Sequence, residues 1–162
     1  MNPNYGGAIV QRATVYLGLD VATPAGAATV KDWLHGVHVD RMDNWCAAFA
    51  HGVVSEAIGA DSAVPAVASA LRMYAAMKAT HVQEPEQGAL GFVDHGHGLG
   101  HVFIVESILD DMVTEISGNT NGLASRNGGL VMSHWWNLQL ARGGMPVHGG
   151  KLVGFALPWF PR

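Results

Sequence analysis

Cysteine is almost missing from this chain. Cys46 is the single thiol among 162 residues, so no intramolecular disulfide can form and the core must hold the fold. That suits synthesis in a reducing compartment. Charge is scarce as well: 14% of residues are charged against 49% hydrophobic, which excludes a disordered chain and points to a compact globule. The nine Lys and Arg residues are scattered from Arg12 to Arg162 without a run, and the net charge is -4. A phosphate-neutralising nucleic-acid binder and a basic membrane-surface binder are both excluded on that ground. No apolar run approaches the roughly 18 residues a spanning helix needs. The start, Met1-Asn2-Pro3-Asn4-Tyr5, has neither the basic nor the apolar region of a signal peptide. The expectation is one soluble domain over residues 1–162, monomeric and made in the cytoplasm.

Hydrophobic spacing divides the chain into helices first and strands after. Gly7 to Leu19 reads as a short helix, Val21 to Ala28 as a loop by its Pro24 and Gly26, and Val30 to His35 as a turn of helix. Asp43 and Asn44 stand as N-cap residues before WCAAFAHGVVSEAIG, a run apolar on nearly every face and therefore a buried helix. Asp61 and Ser62 open a further helix with Pro65 in its first turn, continuing to Lys78. After Pro85 the pattern changes to strands at Leu90–Asp94, His101–Ser107 and Met112–Ser117. The glycine-rich stretch HGHGLG reads as a loop and Asp110-Asp111 as a turn. Two further apolar runs, Leu130–Met132 and Leu152–Leu157, close the chain. This order predicts an α+β domain, with N-terminal helices packed on a C-terminal antiparallel sheet.

Three features carry chemistry. Cys46 falls in the first turn of the most apolar helix, where oriented N–H groups stabilise a thiolate. His101 begins an apolar strand after Gly98 and Gly100, with period two placing His101, Phe103 and Val105 on one face. A base at a strand end beside a helix-borne thiol is the general cysteine–histidine arrangement. A third group should orient the imidazole. Glu115, Ser117 and Asn119 share one face of the following strand, and any of them reaches His101 if the strands pair.

These segments together resemble the CHAP family of cysteine, histidine-dependent amidohydrolases/peptidases. WCAAFAHGVVSEAIG is similar to the family's cysteine-bearing helix, PEQGALGFVDHGHGLGHVFIVES to its Pro-x-x-Gly strand followed by a Gly-His strand, and ISGNTN to the motif whose Asn completes the site. Order and spacing agree over Trp45 to Asn121. The resemblance implies a papain-like fold and hydrolysis of amide bonds in bacterial peptidoglycan, as in bacteriophage endolysins. It assigns Cys46 as nucleophile, His101 as base and Asn119 as orienting group, and it calls for no cofactor. The family's usual Asp after Pro-x-x-Gly is Ala89 here. Several members carry Glu where this chain has Ser117, which leaves Glu115 in reserve as the third group.

Asn44 and Trp45, flanking the thiol, are the expected substrate contacts, with Asn44 as a candidate second oxyanion donor. Two other readings compete. Asp94, His95, His97 and His101 crowd into eight residues and form a candidate zinc set. His134-Trp135-Trp136 and Trp159-Phe160 offer aromatic surface to a non-catalytic wall-binding or virion component. A calcium cage from Asp32, Asp40 and Asp43 is too sparse for six to eight oxygens.

Overall fold

The structure, a computed structural model, describes residues 4–121 and 128–161. The readings that fell on Met1 to Pro3, Gly122 and Arg162 lie outside the described residues. Among those described, helices α1 (Tyr5–Val15), α2 (Pro24–Gly36), α3 (Cys46–Ile58) and α4 (Ala70–Ala76) precede most of the sheet. Strands β1 (His81–Val82), β2 (Leu90–Gly96), β3 (Leu99–Leu109), β4 (Met112–Thr120) and β5 (Leu130–Asn137) follow, then α5 (Leu138–Arg142) and β6 (Lys151–Ala156). The six strands form one antiparallel sheet in the order β1-β6-β2-β3-β4-β5. The protein is thus an α+β domain, as the order of elements predicted. No helix among the described residues is long and apolar enough to cross a membrane.

Alternation along β3 sorts its side chains between two cores. Val102 and Ile104 face α1–α4 and join Ile9, Leu34, Phe49, Val53 and Met73 in the larger core. Phe103 and Val105 face the other way, onto Leu138, Ala141, Val147 and Phe155, where α5 and the approach to β6 cover the sheet. Both faces of the central strands are therefore dry, which explains why β2 and β3 read as nearly continuous apolar runs. Helix α3 packs on β3 and β4 and is flanked by α1 and α2. Glu56 ties these three helices together by accepting from Tyr16 Oη at 2.6 Å and Trp33 Nε1 at 3.2 Å, and by pairing with Arg12 at 2.8 Å.

Four local expectations are corrected. The stretch read as a loop from Val21 to Ala28 already contains the start of α2: Pro24 opens the helix and Thr23 caps it, accepting from Gly26 N at 3.1 Å. Proline lacks a donor that the first turn does not use, so here it marks a start rather than a break. The helix expected from Asp61 begins only at Ala70, capped by Ser69. Upstream of it, Ser62 bridges to Trp159 and Ala63 N donates to Pro158 O, so pairing with the C-terminal segment replaces helical turns. HGHGLG is a tight hairpin rather than an irregular loop. His97 and Gly98 lie between β2 and β3 with φ of 55° and 77°, the left-handed pair that two-residue hairpins favour. Finally, neither Asp43 nor Asn44 caps α3; Trp45 occupies the cap position without a side-chain bond. Asp43 accepts from Asn44 N instead, and Asn44 is engaged elsewhere.

Candidate active site

Cys46 is the first residue of α3 and 4% exposed. It lines a groove of about 260 Å³ whose other walls include Asn44, Ser69 and Arg72 on one side and Gly98, Leu99 and Gly100 on the other. Gly100 is the residue before His101, so the thiol and the peptide leading into His101 border one groove. A second depression, about 520 Å³, shares Asp43, Asn44 and Leu99 with the first and adds Asn119. Leu99, 43% exposed, therefore stands between the two. A further surface cavity, about 650 Å³ beside Tyr74, Arg142 and Lys151, is lined by none of these residues.

Asn119, the last residue but one of β4, is left-handed, φ 59°, where the register of β4 against β5 shifts between Ser117 and Thr120. Asparagine tolerates that conformation better than most residues do. The irregularity aims its amide at the α3 approach, where Nδ2 donates to Asn44 Oδ1 at 3.2 Å. Neighbouring Gly118 permits the close packing this requires, since a Cβ there would lie 2.4 Å from the Trp45 ring. Trp45 itself is 2% exposed, with Trp33 and Phe49 centroids 6.3 and 6.5 Å away. It is chiefly a core residue that sets the end of α3.

His101 is fully buried, and its ring lies 4.5 Å from that of His148, tilted by 40°. His148 Nε2 in turn sits 2.6 Å from Glu115 Oε1. Thus Glu115, held in reserve from the sequence, stands behind His101 with His148 between them. His148 arrives from the approach to β6, and its sequence position gave no sign of this. Burial pushes the Glu115 carboxyl above the usual carboxylate range, opposed by its contacts with His148 and more weakly with Ser117. His134 on β5 lies 5.2 Å from His148, ring to ring, and Thr120 Oγ1 is 3.2 Å from His134 Nε2. Burial first, then the charge on His148, lowers the His134 pKa to about 4.

The alternative residue sets fare differently. Asp94, His95, His97 and His101 form no converging group among the described residues. Asp94 accepts from Gly96 N at 2.7 Å within the hairpin turn. Asp40 pairs with His35 and Asp43 with Arg41, both at the surface, and Asp32 joins neither. Of the aromatics, Trp135 and Phe160 are exposed, whereas Trp136 packs edge-on against Phe103 and Trp159 against Tyr5.

The fold and site define an α+β domain in which a helix-borne thiol and the strand segment leading into a buried histidine border one groove. The chain is similar in fold to Ly7917, in a structure described as "the crystal structure of Ly7917 with the hydrolyzing product of MDP". The TM-score is 0.56 at 13% identity, covering 94% of this chain and 62% of that one. A second Ly7917 structure matches at TM-score 0.49 and 17% identity. The chain thus spans less than two thirds of the length of these neighbours. No family model and no curated protein matches it.

Proposed function

We propose that this protein is a papain-like, CHAP-type cysteine hydrolase that cleaves an amide bond of bacterial peptidoglycan, acting as the catalytic part of a phage endolysin. The observation that carries the reading is the shared groove: Cys46 at the start of α3 faces the Gly98–Gly100 segment that leads into His101. The similarity in fold to Ly7917, whose structure contains a product of a peptidoglycan fragment, supports the substrate class.

In the proposed mechanism His101 takes the proton of Cys46, and the thiolate attacks the substrate carbonyl. The tetrahedral intermediate collapses as His101 returns the proton to the leaving amine, giving a thioester. Water, deprotonated by His101, then releases the carboxylic acid and restores the thiol. The N–H of Cys46 is an oxyanion donor at the helix start. With Oδ1 of Asn44 engaged by Asn119, the Nδ2 end of the same amide is the second donor. Asn119 positions Asn44, and His148 with Glu115 backs the base.

The test is turbidity loss of purified cell walls with wild type and Cys46→Ala. Lysis should vanish in the variant while its circular dichroism is unchanged, and retained lysis overturns the reading. Mass spectrometry of the released fragments distinguishes cleavage at the sugar-lactate amide from cleavage within the stem or cross-bridge.

A further inference from the structure

On the face of the sheet turned away from α3, Glu115, His134 and His148 converge from β4, β5 and the approach to β6. One donor atom from each lies within 4.8 Å of the other two. We propose that these three side chains form a binding site for a divalent transition-metal ion of the zinc class, which ties β4 and β5 to the segment entering β6 behind His101.

Three observations carry this assignment. The first is the donor set: two imidazoles and one carboxylate suit zinc and its neighbours, whereas calcium and magnesium require oxygen ligands. Zinc bonds of about 2.0–2.2 Å place tetrahedral donors roughly 3.4 Å apart, so binding closes the widest edge of this cluster and opens the 2.6 Å His148–Glu115 contact.

The second is a deficit of positive charge. Glu115 is completely buried, and among the described residues its ion-pair partner is His148. The other charged group acting on it, Glu106, is also negative. Oε2 of Glu115 lacks a well-formed hydrogen bond, although the Ser117 hydroxyl is nearby. A buried carboxylate oxygen left in that state is costly, and a cation satisfies both its charge and its lone pair.

The third is the surrounding shell. Thr120 Oγ1 engages one ring nitrogen of His134, the kind of outer contact that fixes the ring of a ligating histidine. The His101 ring packs on His148 from the other side. The site is distinct from the hairpin histidines His95 and His97. Half-buried His134 is the route by which an ion reaches it from solvent. No step of the proposed hydrolysis passes through the ion, so this inference stands whether or not the hydrolase reading does.

The test uses the full chain, stripped with a chelator and dialysed metal-free. Zinc is then titrated and counted by elemental analysis, and cobalt(II) is followed by its visible absorption. Wild type should take up one zinc per chain, show ligand-field bands with cobalt, and melt at a higher temperature with zinc present. His134→Gln should weaken zinc binding by roughly tenfold or more and abolish the bands, with Glu115→Gln doing the same. His97→Gln, in the hairpin, should bind as wild type. Should Glu115→Gln fail to fold by circular dichroism, the half-buried His134→Gln decides alone. Absence of stoichiometric zinc in wild type, or zinc binding and cobalt bands unchanged in His134→Gln, overturns the proposal.

Discussion

The amide of Asn119 holds the amide of Asn44: Nδ2 of the first donates to Oδ1 of the second at 3.2 Å, across 75 positions of sequence. This bond joins the irregular end of β4 to the segment entering α3, and so links the two parts of the candidate site. Asn119 pays for the position with a left-handed backbone.

The conformation and the side chain of Asn119 can be separated. Asn119→Ala loses the bond and places a Cβ residue in a left-handed conformation, a strain of roughly 1–2 kcal/mol. Asn119→Gly loses the bond without that strain. Urea denaturation should therefore find the glycine variant the more stable of the two by about 1 kcal/mol, while both lose most wall lysis. Full lysis in Asn119→Gly would remove the side chain from the mechanism.

Trp45 is expected to act through packing. Its indole fills the space among Trp33, Phe49 and Gly118, so Trp45→Ala should cost about 3–5 kcal/mol in chemical denaturation. A loss below about 1 kcal/mol, with substrate binding impaired, would instead make the ring a surface contact.

Leu99 is a partly exposed ridge between the two depressions. Leu99→Gln should change stability by no more than about 0.5 kcal/mol, as surface substitutions usually do. Lysis should nevertheless fall severalfold, because a chain crossing the ridge loses its apolar contact. Unchanged lysis would place the substrate elsewhere.

The knot between α1, α2 and α3 makes stability depend on pH at the alkaline end. Burial, reinforced by the bond to Glu56, pushes the Tyr16 hydroxyl from its ordinary 10 up to about 12. The folded chain thus holds a proton that the unfolded chain has released, so stability falls as pH rises between about 10 and 12. Thermal melts across that range should show a decline, and Tyr16→Phe should flatten it. An equal slope in the variant would assign the decline to other groups.

Much of this architecture was legible in the sequence because it follows from periodicity. Period two along HVFIVES sorted Val102 and Ile104 from Phe103 and Val105, and the structure places them in opposite cores. The apolar run from Cys46 produced a buried helix for the reason anticipated: α3 is covered by α1, α2 and the sheet. Misreadings arose where a local signal had two meanings. Pro24 opened a helix instead of ending a loop, and the segment from Ser62 paired with Pro158 and Trp159, partners nearly a hundred residues away.

Sequence by itself determined the α+β class and the buried helix that begins at Cys46. These follow from composition, spacing and turn chemistry within short windows. Only the tertiary structure decided that Asn119 grips Asn44, that Trp45 is mainly core, and that His148 links His101 to Glu115. It alone brought Glu115, His134 and His148 together. Sheet register and the path between β5 and β6 set these contacts, and both are fixed by burying two faces of one sheet at once. No local window of sequence contains that condition.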